Sequence, residues 1–309
     1  LTETKEDPFV VMAMAATTTE RISLTTAVAI AFPRSPTVTA MTAWTLQRAS
    51  RGRFRLGLGT QVKGHIERRY GMQWRAPGPW IEDYVGAVRA VWGCWQHGTP
   101  LDYRSEHYEL TLMNPLFDPG PIEHPFPPIH LASVNAHMAR IAGRHADGVR
   151  PHPICTRRYI GEVLRPAVAA GAEEAGRDHR AIETVASPLI VTAPTETELA
   201  ARVSAVRSRI SFYASTRTYR AVFELHGWGE LCEQLSVLSR QQRWDEMERH
   251  VTDEMVHEIA VVAPYDSLAA AVVERYGGLC DRVEMSIPVD SPDDEVRLAE
   301  LVAEVRAAG

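Results

Sequence analysis

The chain has 309 residues, 45% of them hydrophobic and 23% charged, with a formal net charge of -6. That length suits one large α/β domain or two ordinary ones with a real core, and an acidic balance with arginines scattered among glutamates argues against a nucleic-acid surface. No apolar run approaches the roughly 20 residues of a membrane span, the opening LTETKEDPF lacks a secretory pattern, and Cys94, Cys155, Cys232 and Cys280 form no CxxC pair, so a reducing cytoplasm is expected.

Residues 8–18 (PFVVMAMAATT) read as a helix with Asp7 as N-cap and Pro8 in its first turn, a pairing that satisfies free amides and presets the helical angle. The β-branched and small residues of 21–31 (RISLTTAVAIA) predict a buried strand, and 35–49 a helix capped at Ser35. Next comes RFRLGLGTQ, residues 53–61, a strand that alternates through Phe54, Leu56 and Leu58 and carries Gly57 and Gly59. Helix and strand alternating at this spacing predict parallel β/α units.

The segment 100–128 is rich in proline and aromatic residues and predicts an ordered excursion with short strands. The rhythm resumes with a strand over 128–133 (PIHLAS), a helix over 136–145, a short strand over 146–150 and a helix over 156–176. A strand over 182–192, a helix from 196 to about 213, a strand over 281–288 and a helix over 293–307 complete it, with a wholly helical stretch at 219–256. The whole reads as one domain spanning 1–309.

Several residues fall at strand ends, where parallel barrels gather ligand groups. Gly59, Thr60 and Gln61 suit a phosphate cradle, a tight turn or a thinned barrel wall; GxGxxG is broken by Val62, and no GK[ST] follows. Ser133, Val134 and Asn135 open a helix and suit either an anion site or a simple cap. Small residues at Ala29, Ile30 and Ala31 leave room for a planar ring, or merely end a core strand. His65 and His152 fall on the predicted rim and suit proton transfer or a structural hydrogen bond. The histidines lack the spacing of metal ligands, and no serine or cysteine stands in a nucleophile frame. Phe32, Trp74, Trp80 and the 100–128 excursion would supply an apolar rim, which suits an aromatic cofactor and a small organic substrate.

The ordered set ETKEDPF, RISLTTAVAIAFPRSP, GRFRLGLGTQVKGHIERRYGM, PPIHLAS and HADGVRPHP resembles the luciferase-like monooxygenase superfamily, most closely its actinobacterial branch of coenzyme F420-dependent oxidoreductases. The resemblance implies a TIM (β/α)8 barrel with an insertion before the fifth strand, the first β/α unit missing from this sequence, and a homodimer or higher homo-oligomer. It implies FMN or F420 at the C-terminal face, with phosphate at Gly59, Thr60, Gln61, Ser133, Val134 and Asn135. A non-proline cis peptide is implied at Ala29, Ile30 and Ala31. Where relatives that use F420 carry a histidine, this chain has Lys5 and Glu6, which leaves Glu3, His65 and His152 as the expected proton donors.

The expected activity is hydride transfer between reduced F420 and a small organic molecule. An FMN-dependent monooxygenase using oxygen is the alternative, followed by a non-catalytic flavin-binding protein and, last, a metal-dependent barrel hydrolase.

Overall fold

Asp7 accepts the Phe9 amide at 2.8 Å and Pro8 takes the first turn, so the first helix begins where local chemistry dictates. In the computed structural model, which describes residues 1–308, that helix is α1 (Pro8–Thr18). It is followed by β1 (Leu24–Thr25), β2 (Ala29–Ile30), α2 (Pro36–Ala49), β3 (Phe54–Gly59), α3 (Lys63–Arg68) and the long α4 (Pro77–His97). A hairpin of β4 (Tyr103–Arg104) and β5 (Glu109–Leu110) precedes β6 (Ile129–Ser133), α5 (Ala136–His145) and β7 (Gly148–Pro151). The short α6 (Arg157–Tyr159) passes through a π-turn at Ile160–Leu164 into α7 (Arg165–Glu174), which leads to β8 (Glu183–Ala186) and β9 (Ile190–Val191). Helices α8 (Glu196–Ala214), α9 (Arg220–Leu225), α10 (Gly229–Arg240), α11 (Trp244–Met247) and α12 (Asp253–Ile259) come next. Strand β10 (Val261–Val262), α13 (Tyr265–Tyr276), β11 (Arg282–Val283) and α14 (Pro292–Ala308) close the described chain. None of these helices is long and apolar enough to cross a membrane.

The chain forms two compact units interleaved in sequence. One comprises Leu1–Ser133, His137–Val149 and Val168–Ile182; the other comprises Val134–Ala136, Arg150–Ala167 and Glu183 onward. In the first, β3 lies between β1 and β2 on one side and β6 on the other, all parallel. In the second, β8 pairs with β11 and β9 with β10, also in parallel. Buried Gln47 ties α2 to the sheet and to the 100–128 segment: its Oε1 accepts the Phe54 amide at 3.0 Å and its Nε2 donates to the Pro125 carbonyl at 2.8 Å. Trp44 and Trp92 pack with Phe126 beside it at 5.8 and 5.9 Å, so that segment is anchored by aromatic contacts.

The strand expected over 21–31 is two strands separated by a bulge. Thr25 pairs with Arg55 and Ala29 with Leu58, so four residue steps on one strand oppose three on the other. Thr26 fills the gap, donating from Oγ1 to the Gly57 carbonyl at 2.7 Å and accepting the Gly57 amide at 2.9 Å. The non-proline cis peptide lies inside this bulge, at Ala27–Val28, ahead of the expected Ala29, Ile30 and Ala31. Leu1, Thr2 and Glu3 flank the bulge on its far side: Ala27 donates to the Leu1 carbonyl and Glu3 to the Val28 carbonyl.

Other elements depart from expectation for local reasons. The 182–192 strand splits into β8 and β9 around Pro188, which has no amide to give a ladder. The 219–256 stretch is broken by left-handed turns at Gly227 (φ 78) and Gln242 (φ 60), and the 281–288 strand shortens to β11.

Gly57 has no space for a side chain, because a Cβ there would lie 1.8 Å from the Thr26 carbonyl oxygen. Gly57→Ala is therefore expected to lower stability by about 3 kcal/mol or more, read as a reduced urea midpoint against wild type.

Candidate functional site

The parallel registers bring three strand ends together in the first unit. Ile30 pairs with Gly59 and Leu58 with Leu131, and the Ala31 amide donates to the Gly59 carbonyl at 3.0 Å. A Cβ on Gly59 would lie 2.6 Å from Val28 Cγ2 and 3.8 Å from the Ala132 Cβ. Both glycines therefore make room for the bulge strand; their open sides face protein. At the end of β6 the Ser133 hydroxyl is buried, and its Oγ has no hydrogen-bond partner among the described residues. A buried hydroxyl without a partner costs about 1–3 kcal/mol, which a ligand oxygen would relieve. Thr60 is half-buried beside it, while Gln61 takes a left-handed φ of 58 and accepts the Val62 amide on its own Oε1. These features fit an oxygen-rich end of a flavin-type cofactor at Ser133 and the end of β3. The remaining expected residues, Val134 and Asn135, belong to the second unit, where the Val134 carbonyl accepts the Tyr159 hydroxyl at 3.1 Å.

Three expected proton donors have different surroundings. Glu3 is bound on both carboxylate oxygens: Oε2 accepts the Ile30 amide at 2.8 Å, and Arg34 Nη1 reaches Oε1 and Oε2 at 3.0 and 2.8 Å. Arg34 also holds Asp7 at 3.0 Å, so Glu3 acts as an acceptor that fixes the end of β2. His65 lies exposed on α3, and Lys5 is exposed as well. In the second unit His152 accepts the Ile154 amide on Nδ1 at 3.2 Å, and its ring lies 4.7 Å from Tyr213 and 4.5 Å from Tyr219. Burial, with nearby Arg209, pushes its pKa down to about 3. An imidazole so enclosed stays neutral near neutral pH.

The first unit also carries a cleft of about 330 Å³ that starts where the strand ends stop. Phe32, directly after Ala31, stacks on Trp80 of α4 with centroids 3.7 Å apart and planes 5° from parallel. His107, from the turn of the β4–β5 hairpin, layers against the same indole at 6.1 Å and 16°. Trp80 Nε1 donates to the Tyr108 hydroxyl at 2.8 Å, and burial pushes that phenol up to about 12. Asp83, one turn along α4, accepts from His107 twice, at 2.6 Å from Nδ1 and 3.2 Å from the backbone amide. The guanidinium of Arg75 lies 5.9 Å over Trp80. The expected rim residues Phe32 and Trp80 both line this cleft; Trp74 does not.

Sequence reasoning missed the Asp83–His107 pair, because 24 residues and a hairpin separate its members and no motif spans them. It also missed a polar group in the second unit at the ends of β7, β8 and β11. Buried Arg150 binds Glu284 and lies 3.4 Å from the Ser187 hydroxyl, which donates to Glu284 at 2.6 Å.

Parallel β/α units with converging strand ends define a protein of the α/β class. The family model of luciferase-like monooxygenases matches residues 1–282, and the chain belongs to that family, whose members are oxidoreductases or monooxygenases. An uncharacterized protein of Mycobacterium tuberculosis is 41% identical over 281 residues, covering 91% of this chain and 83% of its own. A phthiodiolone/phenolphthiodiolone dimycocerosates ketoreductase of the same species is 33% identical over 172 residues, 56% of this chain and 44% of its own. Among solved structures, the coenzyme F420 dependent tetrahydromethanopterin reductase from Methanopyrus kandleri superposes with a TM-score of 0.75 at 20% identity, over 98% of this chain and 87% of that one. The fold is thus that of the luciferase-like TIM barrels.

The neutral His152 makes stability depend on pH. Its folded pKa of about 3 lies below the ordinary 6.5, so the unfolded chain binds more protons between these values and stability falls as pH drops below 6.5. The slope is at most about 1.4 kcal/mol per pH unit. Melting temperatures measured at pH 7.5 and 5 are expected to differ less in His152→Gln than in wild type.

Proposed function

We propose that the chain is a deazaflavin-dependent oxidoreductase that takes coenzyme F420 in preference to FMN and reduces a carbonyl group on a small organic substrate. The observation that carries this reading is the buried, unpartnered Ser133 hydroxyl at the converging ends of β3 and β6. Family membership supports it, as do the ketoreductase relative and the F420-dependent reductase of like fold. The bound coenzyme would supply a hydride.

Ser133, with the backbone of Gly59, Thr60 and Gln61, would hold the phosphate-bearing end. Ala29, Ile30 and Ala31, small or flat against β3, would leave space for the ring, and the Glu3–Arg34 pair fixes the position of that strand end. Phe32 and Trp80 exclude water from one wall of the adjoining cleft.

The purified protein is expected to bind F420 with quenching of cofactor fluorescence, and Ser133→Ala to weaken that binding about tenfold, the cost of one hydrogen bond to a charged group. FMN binding with oxygen-dependent turnover and no affinity for F420 would overturn the reading in favour of the monooxygenase. Equal binding of F420 by wild type and Ser133→Ala would overturn the assignment of Ser133.

A further inference from the structure

We propose that His107, oriented by Asp83, is the proton-transfer group of the Phe32–Trp80 cleft and delivers its proton from Nε2 to the oxygen of the bound substrate; the assignment rests on the carbonyl-reducing reading above. The geometry alone fixes the tautomer. The Nδ1 contact with Asp83 is 2.6 Å and a carboxylate only accepts, so Nδ1 carries a hydrogen. The Asp83 carboxylate also accepts the His107 amide, which locks ring and backbone to one partner. Nε2 has no protein partner among the described residues, and His107 lines the cleft. A neutral ring in this tautomer accepts at Nε2; once protonated it donates there, with the carboxylate stabilising the imidazolium.

The charged and titratable groups around the ring favour a substrate oxygen that gains negative charge. Asp83 faces it from α4, Tyr103 and Tyr108 from its own hairpin, and Arg75 and Arg34 from across the cleft. Arg34 is spent on Glu3 and Asp7. Arg75 is exposed, lies over the Trp80 ring and has no carboxylate partner among the described residues, so its charge is available to an oxygen anion in the cleft. A reduced deazaflavin bound beside the cleft would supply the hydride for the new C–H bond, and the carbonyl π electrons would move onto the substrate oxygen. The proton leaves His107 Nε2 and forms the O–H bond, and the neutral imidazole regains a proton from solvent. Asp83 is a positioning residue, since its carboxylate acts through the two hydrogen bonds it accepts from His107.

The test uses 4-nitrophenolate as a probe for the developing oxyanion, with no cofactor present, and calorimetry in two buffers of different ionisation enthalpy. Wild type is expected to bind it with uptake of a proton at pH 7.5. His107→Gln should bind at least tenfold more weakly with no uptake, while its circular dichroism spectrum and F420 affinity match wild type. Asp83→Asn should move the proton uptake to lower pH, which a merely structural contact would not do. In turnover of ketones with reduced F420, His107→Gln is expected to lose about 100-fold or more in kcat with little change in KM. Binding of the probe without proton uptake, or equal uptake in His107→Gln, would overturn the proposal. Failure of F420 to bind while probe binding and proton uptake persist would instead overturn the cofactor reading and leave the acid at His107 standing.

Discussion

The close approach of Thr26 to Gly57 is the constraint from which the site is built. A hydroxyl that both donates to and accepts from the backbone of one residue replaces a rung of the ladder, and it can do so only because Gly57 has no side chain. The extra residue on the bulged strand shifts everything after it by one position against β3. Ala29 and Ile30 are thereby carried to Leu58 and Gly59, the Ile30 amide points to Glu3, and the chain turns at Phe32 onto the face of Trp80. Strand ends and cleft wall are consequences of a single crowded contact.

What could be read in the sequence was what short-range chemistry decides. Asp7 with Pro8 starts α1, Pro36 starts α2, and the alternation of Phe54, Leu56 and Leu58 marks β3, because each signal lies within one turn or one pleat of its effect. The strand ends at Ala31, Gly59 and Ser133 were legible for the same reason: in parallel β/α units, position along the strand says which end a residue occupies. The bulge was not legible. RISLTTAVAIA has the composition of one continuous strand, and only the partner strand reveals that four steps face three. Nor could the purpose of Gly57 and Gly59 be seen, since the atoms that crowd them belong to Thr26 and Val28, roughly thirty positions earlier.

Titratable residues divide in the same way. In sequence, His65, His107 and His152 look alike, each close to an aromatic or a turn. Their chemistry is set by what packs against them from elsewhere. Tyr213 and Tyr219 pack against His152, and burial lowers its affinity for a proton; α3 leaves His65 in solvent; α4 places a carboxylate against His107. Glu3 shows the converse, a carboxylate near the strand ends whose oxygens are taken up by Arg34 and a backbone amide. A residue type predicts capacity for proton transfer, and the opposing element decides whether that capacity is free.

The layered wall explains how a cleft of this kind gains selectivity. Trp80 has Phe32 stacked against it and His107 layered near-parallel to it, and its side chain's polar atom is bound to Tyr108, so the indole is held by three partners and offers little surface of its own. Fixing such a ring costs no entropy at the moment of binding, because folding has already ordered it. The groups that can still interact are at its margins. Of the two cations there, Arg34 is offset by Glu3 and Asp7, whereas Arg75 is not, and one imidazole nitrogen is open. A ligand in this cleft therefore meets rigid apolar walls and one positive, hydrogen-bonding edge. That arrangement would discriminate by where an oxygen sits on an otherwise apolar molecule, and would favour the state in which that oxygen carries the most charge.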